Sequence, residues 1–105
     1  MTTPHEQALH PSDGAVTVEK NPAQSRYEIR LDGELVGVAD YFLHDDRVVF
    51  PHTEIVHARR GLGFGERLVR YALEDVRASG NKIVPRCWFV AEFVDLNPEF
   101  GALVA

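Results

Sequence analysis

Three places in this 105-residue chain carry residue types able to do chemistry. The first is Arg59-Arg60-Gly61-Leu62-Gly63-Phe64-Gly65-Glu66, where alternate glycines follow two arginines. Glycines let a backbone turn tightly and come close to a ligand. If a helix opens there, its unpaired N–H groups and its dipole favour a phosphate, and two guanidinium groups add charge. A pyrophosphate is the natural occupant. No Gly-Lys-Ser/Thr follows, so the loop is not a P-loop. For a dinucleotide fingerprint the third glycine falls one residue early and the preceding sheet is antiparallel. The plainer alternative is a glycine-rich strand-to-helix turn that binds nothing.

The second place is His52 and Glu54. Two apart on one strand, they share a face, and they can take up a proton if that face lines a cleft. Otherwise they are a strand histidine beside a surface acid. The third is Cys87, a nucleophile or acid in one reading and a small core hydrophobe in the other. As the chain's single cysteine it excludes an internal disulfide and a cysteine-based zinc site. His5 and His10 sit far from any acid cluster, His44 in a turn and His57 at a strand end, and no metal is expected.

These groups need elements to hold them. Residues 1–14 hold Pro4, Pro11 and Gly14 and few apolar side chains, and read as a disordered tail before a single domain over 15–105. Ala15–Glu19 reads as a short strand, and Arg26–Leu31 alternates Tyr27, Ile29 and Leu31 against Arg26, Glu28 and Arg30. Asp32-Gly33 signals a type I′ hairpin into Glu34–Leu43. After a turn at His44–Arg47, Val48–His57 reads as the next strand, with a bulge or edge position expected at Pro51. Then the period changes. Leu68, Val69, Ala72, Leu73 and Val76 recur at helical spacing up to the stop at Gly80. Lys82–Cys87 reads as a strand and Trp88–Leu96 as a short helix, whose first residues Trp88 and Phe89 read as core, with a cleft border as the alternative for Trp88. The fold class is α+β: a mostly antiparallel mixed sheet with a β-α-β crossover and a C-terminal helix.

Composition narrows the function. A net charge of −5, with 45% hydrophobic residues, suits an ordinary domain and argues against nucleic-acid binding. No apolar run is long enough to span a membrane, and the first residues lack the features of a secretory signal. A cytoplasmic protein is expected. The charge is uneven: residues 58–86 hold seven basic residues against three acids, while residues 1–57 hold four against ten. Such a segment is either a solvated helix face or a specific anion site.

Arg60-x-x-Gly63-x-Gly65, after a strand and opening a helix, resembles the Gln/Arg-x-x-Gly-x-Gly/Ala acyl-CoA motif of the GNAT acyltransferase superfamily. More closely, the chain resembles the minimal YjdJ-type N-acetyltransferase-like group. The matching pieces are Asp32-Gly33-Glu34, His52-Thr53-Glu54-Ile55, the glycine loop, Lys82-Ile83-Val84-Pro85-x-Cys87 and Phe89-Val90 followed by Asn97-Pro98-Glu99-Phe100. The resemblance implies a compact GNAT-like fold and acetyl-CoA as cosubstrate, without a metal. It implies that the amides near Leu62, Gly63, Phe64, Gly65 and Glu66 hold the pyrophosphate beside Arg59, Arg60 and Gly61. It gives the basic segment the task of neutralising the coenzyme phosphates. Strand 52–56 would lie along the acyl-pantetheine arm, splayed from strand 82–87, with the amides near Ile55 and Val56 polarising the thioester carbonyl. His52 or Glu54 would take the proton of an unidentified amine acceptor, and Cys87 would act as acid or nucleophile. Two departures stand out. Phe93 and Val94 occupy the region where many larger relatives place an acid tyrosine, and no segment supplies the two acceptor-binding helices of those relatives. A non-catalytic acyl-CoA-binding or sensing module is therefore the alternative.

Overall fold

A computed structural model describes residues 15–105; the expected tail at 1–14 lies outside the described residues. Five strands form one sheet in the order β1-β2-β3-β4-β5, with β1 Val16–Asn21, β2 Arg26–Leu31, β3 Glu34–His44, β4 Arg47–Ile55 and β5 Lys82–Pro85. The first four run antiparallel, and β4 pairs parallel with β5 through the crossover helix α1, Phe64–Ser79. A second helix, α2, spans Trp88–Leu96, and a 3-10 segment, Pro98–Leu103, closes the chain. This is the α+β architecture expected.

Local sequence explains most boundaries. Asp32 and Gly33 both take positive φ, 52° and 85°, as a type I′ turn requires. Pro51 has no N–H to offer β3, and the ladder slips there. Asp40 faces His52 while Phe42 faces Val49, so Tyr41 alone opposes Phe50 and Pro51. Two strands are shorter than their apolar patterns suggest. β4 ends at Ile55, because His57–Arg59 coil into a 3-10 turn. β5 ends at Pro85, where its pairing with Phe50 is the last.

Helix α1 buries Leu68, Val69, Ala72, Leu73 and Val76 against one face of the sheet, on Tyr27, Ile29 and Ala39. Each such side chain withdrawn from water contributes about 1.5–3 kcal/mol, Ala excepted. The Tyr27 hydroxyl donates to Asp75 Oδ2 at 2.7 Å, and burial together with that bond pushes its ionisation far above the ordinary tyrosine range. Among the described residues, the other face carries no helix. On that face Glu28, only 2% exposed, accepts hydrogen bonds from Arg26, Arg30 and Asn21. The hydrogen bonds from Arg26 and then Asn21 hold its carboxyl below the usual range.

Candidate functional site

Beyond Phe50 and Pro85 the two parallel strands part. Their final link is the Cys87 amide, which donates to the Phe50 carbonyl at 2.9 Å. The rest of β4, His52 to Ile55, keeps its neighbour β3 on one side only. Which backbone groups face the gap follows from strand alternation. The Val56 amide donates to the Val36 carbonyl at 2.8 Å, so Glu54 and Val56 point their peptide groups toward β3. Those of Thr53 and Ile55 point into the gap. Of the two amides expected to polarise a carbonyl, Ile55 is free and Val56 is engaged.

The glycine loop closes the far end of this gap. Gly61 and Gly63 adopt φ of 77° and 86°, a region costly for any residue with a Cβ. Gly63 is the N-cap of α1, and no side chain caps the helix. The first helical bond is Arg67 N–H to the Gly63 carbonyl. The amides of Phe64, Gly65 and Glu66 therefore have no partner within the helix, and the helix dipole adds partial positive charge there. Arg60 donates from Nε to the Ile55 carbonyl at 3.0 Å, tying the loop to the strand end. Arg59 stands 3.9 Å from Glu34.

Together these parts wall an open groove of about 810 Å³, within the roughly 300–1,000 Å³ typical of small-molecule sites. Its apolar wall includes Ile55, Phe64, Phe89 and Trp88, and Trp88 is 73% exposed. Gly65 lies so close to Phe89 that a Cβ would stand 2.5 Å from the ring tip. His52 and Glu54 line the groove on the helix-free face, with His52 Nε2 and Glu54 Oε1 3.2 Å apart. The face follows from register, since His52 is opposite Asp40 and Thr53 is opposite the buried Ala39.

Most residues expected at the site come together here: His52, Glu54, Ile55, Arg59, Arg60, Gly61, Gly63, Phe64, Gly65 and Glu66 all line the groove. Leu62, Val56 and Cys87 do not. Leu62 is exposed on the loop, and Cys87 packs in the core cluster at the start of α2. The basic segment also divides. Arg59 and Arg60 reach the groove, whereas Arg70, Arg77 and Lys82 bind the C-terminal segment through Asn97, Glu99 and Ala102. Arg70 and Arg77 also lie over the Phe100 ring. Thus the charge surplus is partly structural. The sequence reads Trp88 and Phe89 as core and does not single out Thr53, whereas all three line the groove. Among the described residues, no cluster of histidine, cysteine or carboxylates could hold a metal.

The sequence family described as GCN5-related N-acetyltransferase matches residues 26–103. The chain belongs to that family. Relatives include protein NATD1 of Mus musculus, 31% identical over 87 residues that cover 81% of this chain and 79% of that protein. Protein NATD1 of Homo sapiens is 31% identical over 85 residues, 79% of this chain and 75% of that protein. Protein NATD1 of Xenopus tropicalis is 26% identical over 93 residues, 87% of this chain and 84% of that protein. In this acetyltransferase domain, the matched region holds both groove-forming strands, the glycine loop and both helices.

Proposed function

We propose that the protein is an acetyl-CoA-dependent N-acetyltransferase acting on an amine acceptor. One observation carries this reading: an uncapped helix N-terminus and an unpaired stretch of strand edge open into the same groove. The first suits a pyrophosphate, the second an extended arm with amides of its own, and the apolar wall of Phe64, Phe89 and Trp88 suits the methylenes between. The residues present fit the cosubstrate.

In this reading the amides of Phe64, Gly65 and Glu66 hold the pyrophosphate, with Arg59 and the outer nitrogens of Arg60 adding charge. The free amides of Ile55 and then Thr53 lie along the acyl-pantetheine arm, and a donor at its thioester end favours negative charge on the acyl oxygen. Acetyl-CoA supplies an activated acyl group: the amine nitrogen bonds to the acyl carbon, the C–S bond breaks, and CoA leaves as a thiolate that takes a proton from water. His52, oriented by Glu54, takes the amine proton. Cys87 is a core residue here, since its burial keeps it off the groove wall.

The exposure of His52 and Glu54, whose side chains are 54% and 62% open, also fits a non-catalytic acyl-CoA-binding module, because among the described residues nothing walls an acceptor beside them. Calorimetry with acetyl-CoA tests binding, and release of CoA thiol across an amine panel tests transfer. Amine-dependent release supports the enzyme; binding without release supports the module; no binding sinks both.

A further inference from the structure

Among the described residues, one buried side-chain polar atom has no hydrogen-bond partner: Thr53 Oγ1. The other buried polar groups are satisfied, Glu28 by three donors and the Tyr27 hydroxyl by Asp75. A buried hydroxyl without a partner costs folding free energy and calls for an explanation. Its location offers one. Thr53 sits on the stretch of β4 that has left β5, lines the groove, and stands between His52 and Glu54.

The direction of the groove fixes what would meet it. The glycine loop follows the C-terminal end of β4, so a molecule anchored there by its anionic end runs back along the free edge, past Ile55 and then Thr53. Two residues of strand place Thr53 about 6.6 Å farther from the loop than Ile55. The Ile55 carbonyl is already taken by Arg60. What remains free there are the amides of Thr53 and Ile55 and the Thr53 carbonyl, and the two amides, as donors, call for acceptor atoms on the ligand. In strands, threonine χ1 has two common wells, and a turn between them exchanges the hydroxyl with the methyl.

We infer that Thr53 is a binding residue for the acyl group: with acetyl-CoA in place, its side chain turns so that the hydroxyl donates to the acyl carbonyl oxygen and the methyl fills the buried position. This rests on the acetyl-CoA reading of the groove. The unpaired hydroxyl of the free protein then has a reason, because leaving it without a partner lowers the cost of turning it toward the ligand.

The test compares acetyl-CoA with free CoA, which lacks the acyl carbonyl, by calorimetry on Thr53→Val, Thr53→Ala and Thr53→Ser, with a melting curve for each. Thr53→Val should melt at or above the wild-type temperature, since it replaces an unpaired hydroxyl by a methyl. Its affinity for acetyl-CoA should fall by several-fold, up to about tenfold, while its affinity for CoA stays at the wild-type value. Thr53→Ser, which keeps the hydroxyl, should bind both ligands as wild type does, and Thr53→Ala repeats the ligand comparison should the valine variant not fold. Equal loss for both ligands, or no loss for acetyl-CoA, overturns the inference while leaving the acetyl-CoA reading intact. Failure of the wild type to bind either ligand overturns both.

Discussion

Replacing Gly65 by alanine tests whether the floor of the groove is set by close packing. Gly65 lies in the first turn of α1, where its backbone is helical and alanine is sterically acceptable in itself. The obstacle is Phe89, because an added Cβ would stand 2.5 Å from its Cζ and 3.2 Å from both Cε atoms. Carbon atoms prefer about 3.5–4.0 Å, so the ring tip must retreat by about 1 Å. Overpacking of this size costs about 1–3 kcal/mol. The better helix propensity of alanine returns about 0.5–1 kcal/mol. The net loss is then about 0–2.5 kcal/mol, a fall in melting temperature of up to roughly 20 °C for a domain of this length. Retreat of Phe89 toward Trp88, its edge-on neighbour at 5.9 Å, narrows the groove, so acetyl-CoA affinity should fall as well. Thermal melts and calorimetry on Gly65→Ala measure both effects. Gly101→Ala is the control, since a Cβ there meets nothing within 4 Å. A Gly65→Ala protein that melts at or above the wild-type temperature and binds acetyl-CoA unchanged would refute the packing argument.

Other outcomes follow from the same geometry. Arg59→Ala should weaken acetyl-CoA binding and spare acetyl-pantetheine, which has no phosphates, whereas Arg60→Ala should weaken both because Arg60 also secures the Ile55 carbonyl; calorimetry with the two ligands separates them. Cys87→Ala should retain turnover of CoA thiol while losing about 1 kcal/mol of stability, because it deletes a core side chain; turnover abolished in a folded variant would return the thiol to the mechanism. Glu28 has a folded pKa below its ordinary value of 4.5, so its stabilisation is complete above that value and is lost as pH falls through the folded one. Glu28→Gln should therefore be less stable than wild type by about 1–3 kcal/mol at pH 7, and urea melts should show the gap closing in strong acid.

Much of the fold is legible in single residues. Asp32-Gly33 dictates its turn, and the apolar spacing from Leu68 to Val76 dictates the helix and its buried face. The glycine loop is legible for the same reason: Gly61 and Gly63 occupy backbone conformations that few other residues tolerate. What escapes is whatever depends on partners distant in sequence. Arg70, Arg77 and Lys82 look like part of an anion site until the C-terminal segment folds back and supplies Asn97, Glu99 and Ala102. Val56 looks like a free amide until β3 brings the Val36 carbonyl to it. Cys87 looks reactive until its neighbours in the core are known. Likewise Val104 adds a parallel bridge to Ile83 that no local pattern announces.

The candidate chemistry finally depends on one proline. Val48 and Phe50 point into the core, and unbroken alternation would send His52 after them and leave Thr53 on the helix-free face. Pro51 cannot donate to β3, and the bulge it shares with Phe50 opposite Tyr41 adds one residue to the count. The faces then exchange. His52 and Glu54 emerge together on the open side of the sheet, and Thr53 turns inward opposite Ala39. A one-residue shift is the smallest change that moves every side chain of a strand to its other face. It falls just before the position where β4 and β5 part, so the exposed proton-handling pair and the buried unpaired hydroxyl have a common origin. Neither arrangement follows from the residue types alone; both follow from a missing N–H.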